Sequence, residues 1–225
     1  MKKIYLSEEA NPHFVEYLVR LGYQCDTVHC SPNLARGIAS HPDLFMCKLG
    51  CSPDSPIFYG NPSAPRAPYP LDIPYNAVCT GKYFIHSLGF TDSSLMALAQ
   101  KMEMILIDVP QGYTKCNVVV VDENSLITAD KGIYKACSVH PEIDCLLVNS
   151  GHVKLPGFST GFLGGASGRV AENVLFHGSL QNHPDFTLIK SFIESKGLET
   201  IWFEEFPLTD IGSVIESNGL KECGI

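Results

Sequence analysis

One order of short strands and a single helix recurs along the chain, and it limits the folds open to it more than any other feature. "NAVCTGKYFIHSLGFTDSSLMALAQKMEMILIDV" (76–109) reads as a hairpin turning at Gly81, a helix opened by Thr91 and Asp92, and the apolar strand "MILIDV". "NVVVVDENSLITADKGIYKACSVHPEIDCLLV" (117–148) repeats the order, with a turn at Asp122 to Asn124, a helix from about Asp130 and the strand "IDCLLV". "RVAENVLFHGSLQNHPDFTLIKSFIESKGLETIWF" (169–203) does so a third time. Each copy is ββαβ, with Ile85, Ile127 and Phe176 at matching places, and self-similarity of this kind marks a repeat architecture.

The ends of the chain complete the pattern. "KKIYL", "NPHFVEYLVRLG" and "YQCDTV" supply strand, helix and strand but lack the first strand of a unit, and "TDIGSVI" (209–215) offers it. Residues 41–75 open with a hairpin, "HPDLFMCKLG" and "SPIFYG", after which prolines 62, 65, 68, 70 and 74 forbid a regular helix. Five units result. The expectation is a single α/β domain over 1–225, a pseudo-fivefold α/β propeller closed by pairing of the terminal segments, which removes exposed sheet edges.

With 45% hydrophobic residues in 225, the chain can bury a sizeable core. Its net charge of −8 and its scattered lysines and arginines exclude the basic footprint of a nucleic-acid or anionic-membrane binder. No apolar run is long enough for a membrane span, and "MKKIYLSEEANP" turns acidic before a signal-peptide core could form, so the expected location is the cytoplasm. Nine cysteines, several inside strand-like runs, are expected to be free thiols. Cys47 and Cys51 are separated by three residues and His177 and His183 by five, with no second pair at ligand spacing. They read as core cysteines and surface histidines, and neither a metal nor a cofactor is expected.

"SGHVKLPGFSTGFLGGASGRV" (150–170) is rich in glycine, yet it matches no phosphate-binding or nucleophile-elbow spacing. Its glycines are expected where backbones crowd at a crossing from the fourth unit to the fifth, with His152 facing a central cavity. The units start at "PDLF", "YNAV", "KCNVV", "GGASGRV" and "LTDIGSV". Asp43, Asn76, Asn117 and Asp210 hold comparable positions in four of them, with Ser167 the nearest polar counterpart in the fifth. Singly, each is a turn or cap residue; recurring at equivalent places, they are expected to line one central cavity. Cys116, beside Lys115 at the head of the fourth inner strand, is a candidate nucleophile because a neighbouring cation lowers a thiol's pKa.

Five ββαβ units resemble the pentein, or guanidino-modifying enzyme, fold. "HPDLFMCKLG", "QGYTKCNVVVVDENSLITADKGI", "GFLGGASG" and "LTDIGSVI" resemble an uncharacterised domain family grouped with it. Catalytic penteins use a cysteine nucleophile, a histidine and carboxylates that grip a guanidinium. The resemblance implies His152 as the histidine and Asp43 and Asp210 as the carboxylates. It also implies a cysteine in the last inner strand, where this chain has Ser213. The expected function is therefore a binding or interaction protein with a polar pocket for a small guanidino-like or cationic ligand. The alternative is a hydrolase or transferase acting on a guanidino or amidino carbon–nitrogen bond through Cys116, His152 and Asp210.

Overall fold

A computed structural model describes residues 2–219 and the backbone of 222 and 223. Its architecture is mixed α/β, with five separate three-stranded sheets that do not merge into a closed barrel. Three sheets are the repeats expected within 76–203. In the first, β5 (Val78–Cys79) runs antiparallel to β6 (Tyr83–His86), α2 (Ser93–Lys101) crosses over, and β7 (Ile105–Asp108) returns parallel to β6. The second uses β8 (Val118–Val120), β9 (Ser125–Thr128), α4 (Lys131–Cys137) and β10 (Asp144–Leu147) in the same way. The third uses β11 (Ser167–Val170), β12 (Asn173–Phe176), α5 (Phe186–Ser195) and β13 (Glu199–Ile201).

Local chemistry sets the helices. Asp92 accepts from the N–H groups of Ser94 and Leu95, and Asp130 accepts from that of Ile133, so each occupies the capping position that spares the orphan donors of a first turn. The helices bury narrow stripes four residues apart: Leu95 and Ala99 in α2, Ile133 and Cys137 in α4, Ile189 and Ile193 in α5. α1 (Pro12–Arg20) does the same with Phe14 and Leu18, opened by Asn11 and Pro12.

The terminal segments pair as expected, but later in the chain. β1 (Lys3–Ser7) is parallel to β2 (Gln24–Val28) and antiparallel to β14 (Ile215–Ser217), so the partner strand begins where "TDIGSVI" ends. Gly212 and Ser213 are the reason, with φ of +71° and +73°, a left-handed pair that breaks extended backbone. No side chain fits at Gly212, since a Cβ there would overlap His41. β3 (Met46–Lys48) and β4 (Ile57–Tyr59) form the remaining hairpin, and β15 (Glu222–Cys223) supplies the third strand, parallel to β4. The proline-rich loop stands where this unit's helix would be.

First strands of the units neighbour one another. β14 lies beside β11, β11 beside β8, and β5 beside β3. Val78 of β5 packs in one cluster with Val118 of β8, and Met46 of β3 with Ile215 of β14. Among the described residues, no helix is long and apolar enough to cross a membrane.

Candidate functional site

The starts of these first strands gather a buried polar cluster. Asp43 sits in a 3-10 turn (Pro42–Leu44) ahead of β3. Cys116 and Asn117 do not enter β8, as the sequence suggested; they lie in α3 (Thr114–Asn117), a single helical turn stabilised at its start by the Thr114 hydroxyl donating to the Gln111 carbonyl. Asn76 ties the two segments together. Its Oδ1 accepts from the backbone N–H of Lys115 at 2.8 Å and Cys116 at 3.3 Å, while its Nδ2 donates to Asp43 O and Cys116 Sγ, each at 3.3 Å.

Lys115 Nζ donates to Ser213 Oγ at 2.9 Å, and that hydroxyl donates to Asp43 Oδ2 at 2.7 Å. Cys116 Sγ directs its proton at the same carboxylate oxygen over 3.1 Å. Asp210 is held by the backbone N–H groups of Phe162 (2.9 Å) and Gly212 (3.0 Å). The glycine-rich run makes that clamp possible, because a Cβ at Gly165 would overlap the Asp210 carboxylate. Glycine there serves close backbone approach, as its sequence context implied.

Burial dominates the electrostatics. It pushes the Asp43 carboxyl above its ordinary range against the pull of His41 and Lys115, and raises Asp210 to about 6. It pulls the Lys115 ammonium and the His41 imidazole down. Cys116 goes the opposite way from the activation its neighbour Lys115 suggested. Burial, then the charges of Asp43 and Asp210, lift its thiol well above the usual value, so it stays protonated.

The other expected members are placed apart. His152 is exposed and meets His183 edge to face, with ring centroids 5.2 Å apart. It lines a cleft of about 420 Å³ with Asn117, Asp130, Lys131, Thr160 and Phe162. Asn117 is buried and donates to the Tyr113 carbonyl, so α3 carries a residue of the cluster and a residue of the cleft side by side. Ser167 is also buried and donates to the Gly164 carbonyl, which Ser213 Oγ approaches at 3.2 Å. The cavity reached by Asp43 and Lys115 is narrow, about 50 Å³. Over α3 lies a cover. Tyr113 bonds Asp72 of the proline-rich loop, and the rings of Tyr69, Tyr113 and Phe162 follow one another at 5.5 and 6.3 Å.

His41 was not among the expected site residues, although "HPD" places it two residues from Asp43. Its Nδ1 lies 3.8 Å from Asp210 Oδ1, and His41, Asp43 and Cys116 bring one ligand-type atom each to within 4.8 Å of one another. His177 and His183 are buried rather than on the surface. Each bonds to backbone on both ring nitrogens: His177 with Thr209 O and Asn11 N, His183 with Asn149 O and Asp185 N.

The chain belongs to the Family of unknown function (DUF6873), whose model matches residues 55–215. The matched segment takes in Asn76, Lys115, Cys116, Asp210, Ser213 and the whole cleft, while His41 and Asp43 precede it. No curated protein matches the chain.

Proposed function

For this member of that family, we propose a pentein-like, five-unit α/β propeller that binds a small guanidino-like or cationic molecule in the cleft beside His152 and performs no thiolate chemistry. The propeller reading is supported by the neighbouring first strands of all five units and by the β1–β14 pairing of the two ends. The eight described cysteines, all free, support a reducing compartment such as the cytoplasm.

The difference in room carries the binding reading. A cavity of about 50 Å³ at Asp43 holds a few waters or an ion, whereas the cleft of about 420 Å³ falls within the size range of small-molecule sites. Asp130 brings a carboxylate to its wall, with Gln111 Nε2 donating to Oδ2 at 3.3 Å. A planar, multi-donor cation matches such a carboxylate. A thiol kept protonated by burial and two carboxylates, and a serine, Ser213, just ahead of the last inner strand, both argue against a thiolate nucleophile.

The test is to add arginine, agmatine and methylated arginines while following thermal stability and the release of ammonia, urea or amine. A ligand at a hundred times its Kd stabilises by about 2.7 kcal/mol. That gain is expected in wild type and Cys116→Ala, and lost in Asp130→Asn, which keeps the helix cap. Turnover abolished by Cys116→Ala would replace this reading with the hydrolase or transferase using Cys116, His152 and Asp210. No stabilisation by any of these compounds would overturn the ligand class.

A further inference from the structure

Two polar atoms in the buried cluster have no hydrogen-bond partner, His41 Nδ1 and Asp43 Oδ1, in side chains only 3% and 1% exposed. Buried polar atoms are normally satisfied, and those that are not call for an explanation such as an ion. These two are not scattered. Their side chains belong to the His41, Asp43 and Cys116 group, in which each residue brings one ligand-type atom to within 4.8 Å of the others.

We propose that His41 Nδ1, Asp43 Oδ1 and Cys116 Sγ bind one divalent cation of the zinc type. A nitrogen, an oxygen and a sulfur donor suit Zn²⁺ or Co²⁺, and three protein ligands leave a coordination position open. The Gly37 backbone accepts a hydrogen bond from the His41 ring; because Nδ1 has no partner, Nε2 is the donor and Nδ1 keeps a lone pair for a metal.

The other two ligands are oriented in the same manner. Ser213 Oγ holds Asp43 by Oδ2, leaving Oδ1 open, and Asn76 Nδ2 contacts the Cys116 sulfur. Each ligand thus has an outer partner, as metal ligands generally do. Asp43 also lines the narrow cavity, which provides a way in.

On binding, the Cys116 S–H bond breaks, a sulfur–metal bond forms and the proton leaves to solvent, with no change of oxidation state. The thiolate and the Asp43 carboxylate together balance the two charges of the ion. Lys115, the nearby cation, gives its hydrogen bond to Ser213 rather than to any of the three donor atoms. Asp43 and Cys116 are 73 residues apart, which is why ligand spacing in the sequence could not reveal the group.

The test uses full-length protein stripped with a chelator and titrated with Co²⁺, then Zn²⁺. Cys30 is exposed and next to His29 and Glu8, so Cys30→Ser serves as the control for a surface site. The expected result is one Co²⁺ per chain with a sulfur-to-cobalt charge-transfer band, displaced by Zn²⁺ and unchanged in Cys30→Ser. The band should vanish in Cys116→Ser, and affinity should fall at least tenfold in His41→Gln and Asp43→Asn. Wild-type protein that shows no such band at millimolar Co²⁺ overturns the proposal, whatever the variants do. A band lost in Cys30→Ser and kept in Cys116→Ser overturns it equally.

Discussion

The helix faces, called the rim below, and the buried polar cluster around Asp43, called the axis, are built on different chemistry. At the rim, each of the four longer helices lays two apolar side chains four residues apart on its own sheet, and short-range caps start three of them. At the axis, Asp43, Asn76, Cys116 and Ser213 come from segments far apart in the chain and hold one another through hydrogen bonds, and Asp210 is clamped beside them by the backbone N–H groups of Phe162 and Gly212. Apolar contacts at the rim are graded and tolerate some loss of volume. Buried polar contacts at the axis are specific, because removing one partner strands the other without water.

Four experiments would break or sharpen this contrast. The largest effect is expected for Gly165→Ala at the axis, whose Cβ would overlap the clamped Asp210 carboxylate. A loss of about 4 kcal/mol or more, in the class of exceptional single-site effects, should show in the denaturant midpoint. A loss under about 1 kcal/mol would mean that the axis yields as easily as the rim.

Acid comes next. His177 is buried and neutral, tying the entrance of α1 to the run before β14, and burial holds its pKa at about 4. The unfolded chain takes up the proton near pH 6.5 and the folded chain only near 4, so stability falls across that window as pH drops and levels off below it. The full loss is about 3 kcal/mol for His177, from about 1.4 kcal/mol per pKa unit. His86 is held at about 4 in the same way, so His177→Gln should lessen the slope in a pH series of unfolding curves without abolishing it.

At the rim, Ile133→Ala should cost about 2–3 kcal/mol without altering ligand or metal binding. A binding change there would show that rim and axis are coupled. Smallest is Asp92→Ala, which removes the cap of α2 and should cost about 1 kcal/mol by thermal unfolding.

What could be read in advance follows the same division. The helix caps Asp92 and Asp130, the turns at Gly81 and Asp122 to Asn124 and the missing helix after Tyr59 all depend on residues within a few positions of one another, and all are present. Asp43, Asn76 and Asp210 were legible as equivalent unit starts, because the repeat itself carries that information. His152 was not placed by the same logic. Its loop leaves the axis and exposes the ring beside His183, and nothing local distinguishes a loop histidine that turns inward from one that turns outward. His41 escaped for the converse reason. Its burial depends on Gly212, which lies far along the chain and is stripped of a side chain to admit it.

The amino-acid order alone determined the repeated strand–strand–helix–strand units, because periodicity, capping and proline act over one or two turns of backbone. Only the tertiary structure decided which polar atoms meet, that burial raises the Cys116 thiol, and that His41 Nδ1 and Asp43 Oδ1 are buried without hydrogen-bond partners in side chains that gather with Cys116. Burial and contact between distant segments set a side chain's protonation and its partners, and both exist only once the units have assembled.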